Sequence, residues 1–390
     1  MKKYVDKYRD YVVEMRRHFH MHPELSFEEY ETTKKVAEEL DKMGISYEIN
    51  TDTNGCGLIG VIEGKGPGKC VGLRADMDAL NVKECTDLDY KSTVDGKMHA
   101  CGHDAHTAML LGAAKILKEE QENFNGKIYL VFQPAEEVGE GAKAMIKFGT
   151  WFEEVDNMFG THVWSNLEAG KVSVEAGERM AAGDQFRLTI TGKSGHGSAP
   201  HETVDAVVAG SAVVMNLQSL VSRTYSPLDS VVVTIGSFHS GNRFNIISGE
   251  AVMEGTNRYF TKEIGSRIEE DMRRVAENTA AAYGAKAELE YKYIVGPTTN
   301  DEASSAIAEE AVRKVMGEDA VAKLPKVTGG EDFSYYIEDK PGCFAFIGVK
   351  NDDINANYPH HSEHFAIDDS VLVEGSAVYA QYALDYLSQE

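Results

Sequence analysis

Strand-length apolar runs alternate with helix-period segments through roughly the first 180 residues, give way to a different order for about 110 residues, and then resume. In the first stretch, "YETTKKVAEELDKMG" carries apolar residues at helical spacing and closes on a glycine, the usual helix stop. There follow "LIGVIEG", "KCVGLRADMDA", the helix "AHTAMLLGAAKILKEEQ", the strand "GKIYLVFQ", the helix "EGAKAMIKFG" and "VDNMFGTHVW". This alternation predicts an α/β domain whose mostly parallel sheet is flanked by helices. From residue 183 the order becomes β-α-β-β-α-β, from "DQFRLTITG" to "KAELEYKYI", which is that of a ferredoxin-like α+β unit. We therefore expect an inserted domain over 183–294 within a domain made of 1–182 and 295–390, joined by short hinges. A chain of 390 residues exceeds what one core usually holds, about 250–300 residues.

Charge narrows the partners. With 63 acidic against 39 basic side chains the formal charge is −24, and no local basic patch offsets it. Nucleic acids and anionic membranes would be repelled, so a small-molecule substrate is expected. The charged N-terminus lacks the apolar run of a secretory signal, and no stretch is expected to supply the roughly 20 apolar residues of a membrane span. Five scattered cysteines suit reduced thiols better than a disulfide framework, and the expected location is cytoplasmic.

In open α/β sheets functional groups gather beyond the carboxyl ends of the strands. "VGLRADMD" delivers Asp76 and Asp78 there, "IYLVFQPAEE" delivers Glu136 and Glu137, and "NMFGTHVW" delivers His162. "MHACGHDAHTAM" adds Cys101 and His103, which Gly102 frees to converge on one ion. Cys101, His103, Glu137 and His162 together offer thiolate, imidazole and carboxylate, a mixture suited to Zn²⁺, Mn²⁺, Co²⁺ or Ni²⁺. One of His360, His361 and His364 could complete the shell. Adjacent glutamates on an irregular turn point apart, so one can ligate while the other acts as general base. Asp104 is read either as N-cap of a helix starting near Ala105 or as support for a ligand, and His106 as structural.

Nine stretches, among them "RRHFHMHPELSFEEYET", "GLRADMDAL", "MHACGHDAHTAMLLGAA", "VFQPAEEVGEGAKAMI", "GKSGHGSAPH", "TGGEDFSYY" and "HHSEHF", occur in order through nearly the whole chain. Together they resemble the metal-dependent aminoacylase, hippurate-hydrolase and plant auxin-conjugate amidohydrolase family, in its cysteine-containing branch. The resemblance implies two divalent metal ions bridged by Cys101, with His103, Glu137, His162 and His361 completing their shells. Glu136 would be the general base, and Asp76 would orient a ligand imidazole. The inserted domain would be a lid that also forms a homodimer, its His196 stabilising the oxyanion in the partner's site. Asn245 and Arg258 would hold the substrate carboxylate. Ser248 stands where the family usually has proline.

The implied reaction is hydrolysis of the amide bond of N-acyl amino acids. A dipeptidase or carboxypeptidase acting through the same site is the close alternative. Cysteine-nucleophile chemistry would need Cys101 and His103, two residues apart, to form an arrangement normally built from distant parts of a chain. A metal-storage protein would have no use for the acid Glu136 beside its site.

Overall fold

The computed structural model describes residues 1–389, which form two compact units. The first comprises Met1–Arg179, Thr299–Pro325 and the chain from Asp332 onward; the second comprises Met180–Thr298 and Lys326–Glu331. The hinges expected near 182 and 294 thus lie a few residues from the observed boundaries. The return of Lys326–Glu331 to the second unit has no counterpart in the expected single insertion.

In the first unit a seven-stranded sheet runs in the order Ser46–Ile49, Leu58–Glu63, Lys127–Gln133, Cys70–Asp76, Asn157–Glu168, Gly342–Lys350, Val172–Ser173. The four strands from Lys127–Gln133 to Gly342–Lys350 are mutually parallel, and the strands outside them pair antiparallel. "KIYLVFQ" and "GCFAFIGVK" are buried along almost their whole length, as continuous apolar strands covered on both faces must be. Helices His103–Glu119, Leu372–Leu387 and Lys2–Met21 pack on one another, and Ile116, Leu117, Val378 and Val12 join the core between them. The helix Lys2–Met21 was not anticipated, because its charged residues hide a buried stripe of Tyr4, Val5, Val12, Met15 and Phe19.

The second unit is a four-stranded antiparallel sheet ordered Val232–Ser240, Glu250–Tyr259, Ala182–Thr191, Lys286–Val295. Helices Ala206–Ser219 and Lys262–Ala282 pack together with it, giving the ferredoxin-like order. Asp205 caps the first helix by accepting from the N–H groups of Val207 and Val208, and Thr261 caps the second at Ile264. A separate two-stranded ribbon pairs Gly195–His196 with Ile246–Ile247. One expectation needs correcting: Ala206–Thr224 is long and apolar enough by composition to cross a membrane. Ala206, Ala209, Val213 and Leu217 on that segment are fully buried in the core of this unit, and about a third of its apolar window is buried in all.

Candidate metal centre

The strand Cys70–Asp76 ends among the buried carboxylates, and residues immediately after the strand Lys127–Gln133 turn sharply at Ala135, which has φ 56°. That turn sets Glu136 and Glu137 on a short helical turn whose two N–H groups both donate to Asp78, at 3.0 and 3.1 Å. On the neighbouring loop, Gly102 adopts φ 96°, and a Cβ there would lie 2.4 Å from Val163. Only glycine fits, and the kink separates Cys101 from the helix that begins at His103.

These elements bring the expected ligands together. Cys101 Sγ lies 3.4 Å from His162 Nε2, while His162 Nδ1 donates to the carbonyl of Val163. His103 is fully buried; its Nδ1 meets Asp78 Oδ1 at 3.2 Å, leaving Nε2 facing Glu137 Oε1 at 3.9 Å. His361, in the left-handed conformation with φ 65°, brings Nε2 to 3.6 Å from the same glutamate oxygen. Cys101, His103 and His162 form one set of donor atoms within 4.8 Å of each other, and Cys101, Glu137 and His361 form another, so the two sets meet at the thiol. Of the neighbouring histidines, His360 accepts from the Ser165 N–H, and His364 stacks near Tyr358.

The donors fit a divalent cation. Both His103 Nε2 and Glu137 Oε1 are buried without a hydrogen-bond partner, a costly state for polar atoms unless something positive sits between them. Burial pushes the Glu137 carboxyl up to about 7 against the pull of His103, and burial followed by Glu137 drives the Cys101 thiol upward. Burial and the nearby His106 hold His162 neutral, the state that ligates. Thiolate, imidazole and carboxylate on one centre suit the borderline transition metals.

Glu136 occupies a different position from its neighbour. One of its oxygens accepts from the Asp332 N–H at 3.4 Å, and the other lies 3.9 Å from His103 Nε2, so the carboxylate borders the donors.

Two expectations are corrected here. The carboxylate on the ligand imidazole His103 belongs to Asp78, whereas Asp76 binds His106 Nδ1 at 2.5 Å and Arg74 at 2.6 Å. Asp76 is the last residue of its strand, and Asp78 lies two residues beyond it, where it also accepts from the Glu136 and Glu137 N–H groups. Asp104 caps nothing: it lies inside the helix, and its carboxylate contacts Arg16 at 2.9 Å and His20 at 2.8 Å in a fully buried cluster. His106 is structural as expected, because Nδ1 meets Asp76 and Nε2 accepts from the Val163 N–H.

Sequence reasoning also missed Arg74 and Asp332. The Arg74 guanidinium, fully buried, reaches Gln133, Asp76 and Asp332, and Asp332 in turn accepts from Gln133 and the Ala142 N–H. Arginine in an otherwise apolar buried strand was the available signal.

The other three candidates belong to the second unit. His196 and Asn245 share the small ribbon, where the Asn245 carbonyl accepts from the Gly197 N–H. His196 is exposed, and its Nδ1 accepts from the Ser198 N–H at 3.1 Å, which leaves the proton on Nε2. Asn245 Oδ1 is buried without a partner. Arg258 lies on the strand Glu250–Tyr259, its guanidinium donating to Thr256, the Asn257 carbonyl and Thr328.

Residues 72–385 match the model described as peptidase family M20/M25/M40. The chain is 39% identical over 392 residues to a protein named thermostable carboxypeptidase 1 of Saccharolobus solfataricus, covering 99% of this chain and 98% of that one. It is 40% identical over 382 residues to IAA-amino acid hydrolase ILR1-like 4 of Arabidopsis thaliana, covering 97% and 86%. Among solved structures, the YXEP protein of Bacillus subtilis, described as a dinuclear metal-binding peptidase, superposes with a TM-score of 0.87 at 34% identity, covering 99% of this chain and all of that one (100%).

Proposed function

This chain belongs to peptidase family M20/M25/M40 and is a metal-dependent amide hydrolase, and on that premise we propose that it holds two divalent cations and cleaves N-acyl amino acids. The observation that carries the reading is the pair of donor sets sharing Cys101, with Glu136 at their border. Cys101, His103, Glu137, His162 and His361 would hold the ions, Zn²⁺, Mn²⁺, Co²⁺ or Ni²⁺. When bound, such cations supply Lewis acidity and lower the pKa of water.

Glu136 then takes the proton of the attacking water and returns it to the leaving amine. The Asp332 N–H and the turn at Ala135 fix its carboxylate, and Asp78 holds His103 in the tautomer that leaves Nε2 for ligation. The Nε2–H of His196 is the donor for the developing oxyanion. Arg258 and Asn245 hold the carboxylate of the amino-acid half, for which a guanidinium supplies forked donors.

The second unit is proposed to pair with a second copy. The helix Ala206–Ser219 exposes Val207, Val208 and Met215, the last at 70%, and Val232–Ser240 is an edge strand with Val232 and Phe238 partly exposed. An unpaired edge strand beside an exposed apolar patch offers a template on which a second chain can pair. A cytoplasmic setting accords with five free cysteines.

The second reading, release of a C-terminal residue from short peptides, draws on the relative named a carboxypeptidase. Metal-reconstituted protein assayed against acetyl, benzoyl and indoleacetyl amino acids beside dipeptides separates the two. We expect the highest kcat/KM on an acyl amino acid; preference for free-amine dipeptides would favour the peptidase reading.

A further inference from the structure

"HPELSFEEYET" lies ahead of the family-matched region, and no step of the reaction above uses it. Its path in the structure is specific. Leu25 bridges to Ala79 in parallel, the Ala79 N–H donates to the Glu24 carbonyl, and Ser26 Oγ donates to Asp78 Oδ2 at 2.6 Å. Phe27 then takes φ 62°, a conformation rare for an aromatic residue, and the chain turns so that Glu29 enters the interior. Glu29 Oε1 accepts from the Ala135 N–H at 2.8 Å.

Ala135 is where the geometry matters. It holds φ 56° although it is not glycine, a conformation that persists only where surroundings enforce it. The two following residues are the general base and a metal ligand. Were Ala135 to relax to negative φ, Glu136 and Glu137 would lose their shared hydrogen bonds to Asp78. Two hydrogen bonds hold Ala135 itself, the Glu29 carboxyl on its N–H and the Gly141 N–H on its carbonyl, while Asp78 holds the two residues that follow.

We propose that Glu29 is a positioning residue: as a hydrogen-bond acceptor on the Ala135 N–H it locks the left-handed turn that aims Glu136 at water and Glu137 at the metal. The proposal rests on the reading of those two glutamates given above. Acceptance, not charge, is the function required, since Glu29 is wholly buried with no cation bonded to it and its Oε2 carries no hydrogen bond. Burial, aided by the nearby Asp78, pushes the Glu29 carboxyl up to about 8, which disfavours its charged form.

The test compares three substitutions. Glu29→Gln keeps the length and the acceptor, Glu29→Asp keeps the acid and withdraws it by one methylene, and Glu29→Ala removes both. Two readouts are taken on folded protein: affinity for Zn²⁺ by chelator competition, which needs no substrate, and kcat and KM on an acyl amino acid. We expect Glu29→Asp and Glu29→Ala to lose about 10–100-fold in affinity for one of two equivalents of Zn²⁺, the range typical of residues that orient ligands. Their kcat should fall at least tenfold with KM within threefold, while Glu29→Gln stays within threefold of the parent on both readouts. Adding Ala135→Gly to Glu29→Ala should recover part of both losses, because glycine holds positive φ unaided.

Parent-like Zn²⁺ affinity and kcat in Glu29→Asp and Glu29→Ala would overturn the proposal, and so would a Gln variant as impaired as the Ala variant. Failure of all three to fold would assign Glu29 to stability alone. A parent protein that binds Zn²⁺ yet hydrolyses nothing would remove the functional reading, with the affinity series still deciding the role of Glu29.

Discussion

The two units treat their functional groups in opposite ways. In the first, Cys101, His103, Glu137 and His162 are buried or nearly so, and three of them are fixed by a further group: Asp78 on His103, the Val163 carbonyl on His162, and the Asp78 carboxylate on the Glu137 N–H. In the second, His196 is exposed and its imidazole is hydrogen-bonded to Ser198 of its own loop, on a ribbon whose neighbours Phe244 and Ile246 are 96% and 47% exposed. A buried donor cluster with orphaned atoms is a site finished except for its cations. An exposed histidine with a fixed tautomer is a group presented to something else. On the proposed reading the first unit holds the cations through the two donor sets that share Cys101, and the second supplies contacts to the substrate.

Four changes would break or sharpen that contrast. Cys101→Ala removes the donor common to both sets and should abolish turnover together with most bound metal, read by elemental analysis. Glu136→Gln should cut kcat by about 10²–10⁴-fold with metal content unchanged; a parallel loss of metal would make Glu136 a ligand. His196→Ala should cost about 10²–10³-fold in kcat with metal retained. Mixed with Glu136→Gln protein, it should regain activity through hybrid dimers, and no regain would confine His196 to its own chain. Met215→Glu with Val208→Glu should shift the sedimentation profile to monomer and leave the metal content of the first unit untouched.

Acid should separate the units more gently. Lys42, Lys35 and Tyr11 outweigh burial at Glu39 in the first unit and hold its carboxyl down at about 2. A depressed carboxyl contributes stability above its unfolded value, about 4.3, that is lost as pH falls toward 2. Asp184 in the second unit is raised by burial, so protonation favours its folded form as pH falls from above that raised value. Hydrogen exchange on metal-free protein between pH 5 and 3 should show the helix carrying Glu39, Tyr30–Met43, losing protection before the strand carrying Asp184, Ala182–Thr191. Glu39→Gln should lessen the difference by an amount worth a few degrees in melting temperature, about 2–4 °C per kcal/mol.

Much of this was legible because its signals are local. Apolar runs ended at carboxylates that the structure gathers around His103, and Gly102 between Cys101 and His103 announced a kink that a Cβ would have blocked. The corrections have one cause, which is that side-chain partners come from distant parts of the chain. Choosing Asp78 over Asp76 depends on where His103 lies 25 residues on, and Asp104 looked like a cap because Arg16 and His20 are remote in sequence. Arg74 with Asp332, and Glu29 with Ala135, are pairings across 258 and 106 residues. Neither spacing nor periodicity encodes them.

The central claim is that donors meeting at Cys101 hold two cations on which hydrolysis depends. Stepwise addition of Zn²⁺ or Mn²⁺ to exhaustively demetallated protein, with bound metal and acyl amino acid turnover followed together, tests it most directly. The account predicts no turnover without metal and recovery that completes at two equivalents per chain. Full turnover by the metal-free protein would contradict it.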